Sequence, residues 1–368
     1  GGTFTDLCVV DLQQGGLAVT KVPSTPSNPA LAVIAGIEKL VEEGKIAAEA
    51  IQFLLHGTTV ATNALLEHKG AQTALLTTKG FEDILEIGRQ NRPDLYDFWA
   101  RRPTPIVPRH LCYGVPERIL YTGEVSVPLD TSSAEAIVRD IREKGIRSIA
   151  VSLLHSYANP VHEKQLAEIV PRLYSEAYVT LSSEVLPEFR EYERTSTICI
   201  NSFVMPGVNN YVAFLEERLK EIGVASELYI MQSNGGVITA KMAREMSART
   251  VLSGPAGGVL TGVLLSEATE HRNIITIDIG GTSSDISLIE GGKPRLTTES
   301  QIGGYPIKLP MIDINTIGAG GGSIAWIDSG GALRVGPHSA GADPGPVCYG
   351  RGGTEPTATD GNAILGRI

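Results

Sequence analysis

Residues 29–43, PALAVIAGIEKLVEE, carry apolar side chains at 31, 33, 34, 37, 40 and 41, the period of one helical face. Pro29 lies just inside the start and Gly44 just past the end, as a helix favours. The chain then alternates between short apolar runs and helical periods. IQFLLHG (51–57) reads as a buried strand and TTVATNALLEH as a helix stopped by Gly70. AQTALLTT (71–78) predicts a strand and FEDILEIG a helix. Residues 91–128 break the pattern: they are Pro-rich, aromatic and irregular around RRPTPIVPRH, and read as an insertion or lid. The alternation resumes with a helix over 132–144, a strand over 146–154, a helix over 160–173 and a strand over 177–183. A mostly helical stretch follows over about 188–222, then strand ELYIMQS, a helix over 255–267, strand NIITIDIG and a returning strand DISLIEG. This is α/β architecture, sheets carrying helices. The pattern places a domain boundary before the long helical stretch, giving domains over 1–185 and 186–368. The last sixty residues, with GAGGGS and GPHSAGADPGPVCYGRGG, are too glycine-rich for a core and read as site-forming loops.

Composition sharpens this picture. Apolar residues are 42% and charged residues 20% of 368, the balance of a globular protein with room for two cores. No apolar run approaches the length that crosses a bilayer, and no signal peptide is expected. A net charge of −10 argues against a nucleic-acid backbone or an anionic membrane as partner. Cysteines 8, 112, 199 and 348 show no Cys-x-x-Cys spacing, which fits free thiols in a reducing cytoplasm. The chain has no initial Met and begins inside a motif, so a preceding strand is expected outside it.

That motif recurs. GGTFTDLCVVDLQQGG (1–16) and IDIGGTSSDISLIEGG (277–292) both read Gly-Gly-Thr, two residues, Asp, an apolar run, then glycines. A strand that enters a Gly-Gly turn and leaves as a strand exposes backbone N–H groups at its tip, and glycine lets a ligand approach closely. Thr3, Thr5, Thr282, Ser283 and Ser284 add hydroxyls, and Asp6 and Asp285 supply carboxylates able to hold Mg²⁺ through water. Two such tips suit the phosphates of one nucleotide; the alternative is a pair of ordinary hydroxyl-rich hairpins. Just upstream, LSGPAGGVLTGVLLSEATE is a helix whose front half is small residues, able to cross another helix closely.

Small-residue helix, strand and Gly-Gly-Thr hairpin, in that order, resemble the actin-like ATPases. The resemblance implies a ribonuclease H-like α/β fold with two lobes around a nucleotide cleft and one phosphate loop in each. GGTFTD, HGTTVATNALLEHKGAQTALLTTKGFEDILEIGRQ (56–90), SNGG (233–236), SGPAGG (253–258), IDIGGTSSD, TIGAGGGSIAWID (316–328) and GPHSAGADPGPVCYGRGGTEPTATDGNAILGRI (336–368) together resemble the hydantoinase A/oxoprolinase family. In that family these motifs continue well beyond the length of this chain. The resemblance implies ATP and Mg²⁺ as cofactors. Gly1, Gly2, Thr3, Thr5, Gly280, Gly281, Thr282, Ser283, Gly320 and Gly321 would meet the nucleotide, and Asp6, Asp278 and Asp285 the metal.

The activity implied is hydrolysis of a cyclic amide such as a hydantoin or 5-oxoproline, driven by ATP through a phosphorylated amide and carried out beside a hydantoinase B-type companion subunit in an oligomer. The alternatives are an ATP-dependent ketone carboxylase subunit and a chaperone or reactivase ATPase. Metal-only hydantoinases need a His-x-His zinc pair, which is missing here. Asp285 and Asp6 head the catalytic candidates, with Asp313 and Asp343 as candidates for polarising water or substrate. His56, Thr58, Thr59 and Asn63 stand where a strand ends and a helix begins, either lining the substrate or forming a helix cap over a packed histidine. His338, Asp343 and Cys348 have no standard metal-ligand spacing, and Asp360 is read equally as a cap for the helix after it.

Overall fold

A computed structural model describes every residue except 1–3, 13–14, 26–27, 93, 282 and 342. The chain forms two compact units, one of residues 1–253 and 297–311, the other of residues 254–296 and 312–368.

The first unit contains two hydrophobic cores. One surrounds a four-stranded parallel sheet in the order Cys112–Val115, Thr73–Thr78, Ser148–Ser152, Tyr178–Leu181. Its central strands read TALLTT and SIAVS and are buried throughout, as parallel strands flanked by helices must be. Helices Thr131–Glu143 and Val161–Leu173 are the expected crossovers. The other core contains helix Pro29–Glu42, packed beneath the hairpin Phe4–Val10/Leu17–Pro23, and a three-stranded sheet in the order Val237–Thr239, Leu228–Met231, Leu54–His56.

The long helix Glu191–Glu221 joins the two cores. Ile198 and Cys199 belong to the parallel-sheet core, whereas Ile200, Val204, Val208, Val212 and Leu215 belong to the other. The boundary expected at 185/186 lies within the first of these compact units, and the second unit starts at Gly254. By length and composition this helix resembles a membrane span, yet 61% of its apolar window is buried within the protein, as for a core helix. Residues 91–128 also differ from the expected insertion, because Cys112–Val115 supplies the edge strand of the parallel sheet. Four residues next to prolines give too short a pattern to stand out from the irregular sequence around them.

Where this sheet's strands end, buried polar groups satisfy one another. Glu163 accepts from Leu153 N (2.9 Å), Ser182 Oγ (2.6 Å) and Ser183 N (2.8 Å). Glu117 bridges the Thr78 hydroxyl and His162 Nδ1, and Arg194 donates to the Leu153 carbonyl at 2.7 Å. Charges this deeply buried persist only when bonded in this way.

The second unit is built on strands Ile274–Ile279 and Ser284–Glu290, an antiparallel pair, with Ile314–Ile317 on the far edge of the returning strand. Helix Ser253–Thr269 begins at the boundary, and its small residues pack on these strands. A Cβ at Gly262 would lie 2.5 Å from Thr276 Cγ2 and 2.7 Å from Ile289 Cδ1. The close crossing expected against another helix is here a close approach to a sheet. Strands Ser323–Ile327 and Leu333–Ser339 and helix Ala358–Ile364 structure part of the glycine-rich end.

Candidate functional site

The second Gly-Gly-Thr turn is a hairpin as the sequence predicts. Ile279 pairs with Ser284, and Gly280 N donates to Ser283 O at 2.9 Å to close the connection. The Ile314–Ile317 strand runs straight into Gly318–Ala319–Gly320–Gly321–Gly322, which folds back onto that turn. Gly321 N donates to Gly280 O at 2.9 Å and Gly322 N to Gly281 O at 2.6 Å. Ser284 Oγ donates to Ala319 O at 2.5 Å, and Ser323 Oγ accepts from Gly320 N at 2.8 Å. The backbones touch, which is why glycine stands here: a Cβ at Gly320 would lie 2.7 Å from the Gly280 carbonyl oxygen. Behind this layer, Gly321 O accepts from both N and Oγ1 of Thr359 at 2.8 Å, and Gly322 O accepts from Ala340 N at 2.8 Å.

These bonds divide the predicted nucleotide residues by role. The N–H groups of Gly280, Gly320 and Gly321 are already committed inside the double loop, so these glycines build the floor of the site rather than offer it donors. Gly281 and Ser283 carry N–H groups with no acceptor among the described residues. A Cβ at Gly281 would meet nothing within 4 Å, so this position faces open space. Gly1, Gly2, Thr3 and Thr282 lie outside the described residues.

Beside the turn, Asp278 and Asp285 are direct cross-strand partners. Thr316, opposite Asp285 on the next strand, donates to Asp285 Oδ1 at 2.6 Å. Among the described residues no lysine or arginine forms an ion pair with either carboxylate. Like charges directly opposed on adjacent strands repel, which a cation between them would relieve. A Cβ at Gly258 would lie 3.9 Å from Asp278 Oδ2, so the helix leaves space on that side. The described residues include no group of three or more His, Cys, Asp or Glu able to hold a metal. Two carboxylates with open coordination fit Mg²⁺, which keeps several waters and takes its other ligands from phosphates.

The remaining predicted residues lie elsewhere. Asp313 precedes Ile314–Ile317, at the end away from the glycine loop, and pairs with Arg295 at 3.4 Å. A strand's length thus separates it from the turn, and it is not brought to this site. Asp343 is exposed on the 340–345 segment, whose Ala340 bonds the glycine loop. In the first unit, Asp6 lies on Phe4–Val10 with its carboxylate 3.2 Å from the cross-strand Lys21, and Thr5 Oγ1 shares a 3.0 Å hydrogen bond with Ser24 Oγ. Asp6 is therefore a surface ion-pair partner. Asp360 caps its own helix in a reciprocal box with Thr357. Burial raises its pKa, but the hydrogen bonds from Cys348 N and Thr357 outweigh this and hold it well below the usual carboxylate range. Thr316 and Thr359, which orient the carboxylate and the glycine loop, are not among the predicted site residues; their signal is a hydroxyl residue flanking each glycine or acidic motif.

His56, Thr58, Thr59 and Asn63 form a capped strand–helix junction. His56 Nε2 lies 2.6 Å from Tyr211 Oη of the long helix. Thr58 O accepts from Ser253 Oγ at 3.0 Å, and Thr58 Oγ1 accepts from Val60 N at 3.2 Å. Thr59 is the N-cap residue of Val60–Leu66, and Asn63 Nδ2 reaches its hydroxyl at 3.4 Å. Burial pushes the His56 imidazole down from 6.5 to about 4. The unfolded chain therefore binds an extra proton between those values, so this part of the stability is present above pH 6.5 and is lost as pH falls towards 4. His56→Gln is expected to remove on the order of 2 kcal/mol of that acid-side loss. Urea denaturation of both proteins at neutral and mildly acidic pH measures it, and an unchanged pH slope would contradict the desolvated, neutral ring.

Residues 1–174 match the hydantoinase/oxoprolinase N-terminal region and residues 194–368 match hydantoinase/oxoprolinase. An uncharacterized protein from Methanocaldococcus jannaschii is 44% identical over 100% of this chain and 56% of its own length. The caprolactamase subunit alpha of Pseudomonas jessenii is 40% identical over 100% of this chain and 54% of its own. The crystal structure of the ATP-dependent caprolactamase from that organism superposes with a TM-score of 0.88 at 39% identity, over 100% of this chain and 54% of that one. The nucleotide-free acetone carboxylase structure, from a study of ATP-dependent acetone carboxylation, gives 0.84 at 32% identity, over 100% and 54%. The chain thus spans about half the length of the relatives it matches.

Proposed function

The chain belongs to the hydantoinase/oxoprolinase family, in the actin-like ATPase class of mixed α/β folds, and from that premise we propose that it is part of an enzyme using ATP and Mg²⁺ to open a cyclic amide. The observation that carries this reading is the double glycine loop set beside two opposed carboxylates. Gly281 and Ser283 offer free N–H groups for phosphate oxygens, and Asp278 and Asp285 offer charge for the metal that accompanies them. Bound there, Mg²⁺ would neutralise charge on the phosphates.

An amide resists water because resonance makes its carbonyl a poor electrophile. In the proposed route the amide oxygen attacks the γ-phosphorus and ADP departs, leaving an imidoyl phosphate. Water adds to its carbon, and the ring nitrogen leaves as an amine, giving an acyl phosphate. A second water attacks the acyl carbon, and the C–O bond to the phosphoryl group breaks, releasing phosphate and the opened amino acid. For this chain the work is positioning and electrostatics: Thr316 holds the Asp285 carboxylate by its Oδ1, and the docked glycine loops fix the turn before any ligand arrives. The relative named caprolactamase subunit alpha supports a companion subunit, which we take to be of hydantoinase B type.

The test measures ADP release by the full-length protein with that companion, offered caprolactam, 5-oxoproline, a hydantoin, or acetone with bicarbonate. ADP formed in step with one opened ring is expected, with a labelled carbonyl oxygen appearing in the released phosphate. ADP release that answers only to acetone with bicarbonate would make this a ketone carboxylase subunit, and release indifferent to every substrate would end the amide reading.

A further inference from the structure

Four large apolar side chains stand in water within six residues of the first unit: Leu95 is 70% exposed, Tyr96 91%, Phe98 83% and Trp99 88%. Their backbone is held in shape from below. Asp94 Oδ1 accepts from Tyr96 N at 2.8 Å and from Asp97 N at 3.3 Å, and Asp97 Oδ1 accepts from Trp99 N at 2.8 Å. The Arg102 guanidinium ties the segment down through Ile87 O at 2.7 Å and Asn91 O at 3.0 Å. Arg92 sits 5.6 Å from the centre of the Phe98 ring. Clustered exposed aromatics cost free energy in water, and a segment that holds them ready loses little entropy on binding.

Charge narrows the choice of partner. Residues 89–102 carry four arginines against two aspartates on a chain whose net charge is −10. Glu193 engages Arg89, while neither Arg92 nor Arg101 has a carboxylate partner among the described residues. A second copy meeting this surface around a two-fold axis would set arginines against arginines. Trp, Tyr and Arg together are the composition of an interface anchor.

We propose that the 94–99 segment is the anchor by which this chain docks its companion subunit, seated in an apolar socket rimmed by carboxylates. The inference rests on the reading of the enzyme as a multi-subunit assembly, and it assigns the contact to residues that the nucleotide site does not use. The test co-expresses the full-length chain with the hydantoinase B-type polypeptide and measures the dissociation constant for wild type, for the double variant Phe98→Ala/Trp99→Ala and for Arg101→Glu. The double variant is expected to bind about 100-fold more weakly, with unchanged melting temperature and unchanged ATP binding by the chain alone. Arg101→Glu is expected to slow association, with a smaller salt dependence than wild type. Undiminished assembly by the double variant would overturn the proposal. So would self-association of the wild-type chain that the variant abolishes, or a change confined to the KM for the cyclic amide, which would make the segment a substrate lid. A wild-type complex that assembles but opens no cyclic amide would defeat the catalytic reading and leave the binding comparison intact.

Discussion

Asp285→Asn in the full-length enzyme is expected to lower ATP-coupled turnover by about a thousandfold, equivalent to roughly 4 kcal/mol of transition-state stabilisation. The fold should survive. Asparagine keeps the shape and its Oδ1 still accepts from Thr316, so the bond across to the Ile314–Ile317 strand is retained. Removing one of two directly opposed charges relieves repulsion with Asp278, so the melting temperature is expected to hold or rise slightly. What disappears is a charge placed for the metal on the transferring phosphoryl group. Asp278→Asn should act in the same direction, and the double variant should be little worse than either alone, because the two carboxylates serve one ion. The structural alternative is that Asp285 only ties adjacent strands together through Thr316. In that case Asp285→Asn would leave the rate per folded molecule unchanged, and only Asp285→Ala would lower stability. Steady-state turnover and thermal melting on the same preparations decide between them.

Gly320→Ala and Gly281→Ala should have opposite signatures although both alter the same double loop. At Gly320 the added methyl meets backbone on the facing turn, 2.7 Å from the Gly280 oxygen and 2.8 Å from the Gly281 carbonyl carbon. Backbone locked by the Gly321–Gly280 and Gly322–Gly281 hydrogen bonds cannot step aside as a flexible side chain would. The loops must part, at a cost of about 3 kcal/mol in the stability of the second unit, and ATP binding should be lost with them. At Gly281 the methyl meets no protein atom within 4 Å and the backbone needs no left-handed conformation, so the melting temperature should not move. The methyl would instead occupy the space in front of the free N–H groups, and ATP affinity should fall at least tenfold. Calorimetric titration with ATP and thermal unfolding of the two variants read both outcomes. A stable Gly281→Ala protein with full ATP affinity would show that the phosphates do not approach this face.

Much of this chain was legible from local pattern. The helices at Pro29–Glu42, Thr131–Glu143, Val161–Leu173 and Glu191–Glu221, and the strands Thr73–Thr78, Ser148–Ser152 and Tyr178–Leu181, follow from apolar spacing and end signals within each segment. The Ile274–Ile279/Ser284–Glu290 hairpin follows from two apolar runs meeting at paired glycines. Those features depend on residues within a few positions of one another, where side-chain period and turn chemistry act directly. Family membership was equally readable, because it rests on the order of motifs.

The tertiary structure decided which of the many glycines and aspartates belong together. Gly320 and Gly280 are distant in sequence, and only the pairing of Ile314–Ile317 with the returning strand brings one loop onto the other. The registers of these three strands set Asp285 opposite Asp278 on one side and Thr316 on the other, and leave Asp313 with Arg295 at the wrong end of its strand. It took Asp6 into an ion pair with Lys21 and made His56 a half-buried hydrogen-bond partner of Tyr211. It also made Cys112–Val115 a sheet strand and carried one helix through two cores. Composition identifies the groups able to meet a phosphate or a metal. Strand register and backbone contact, which join segments far apart in the chain, determine which of them do.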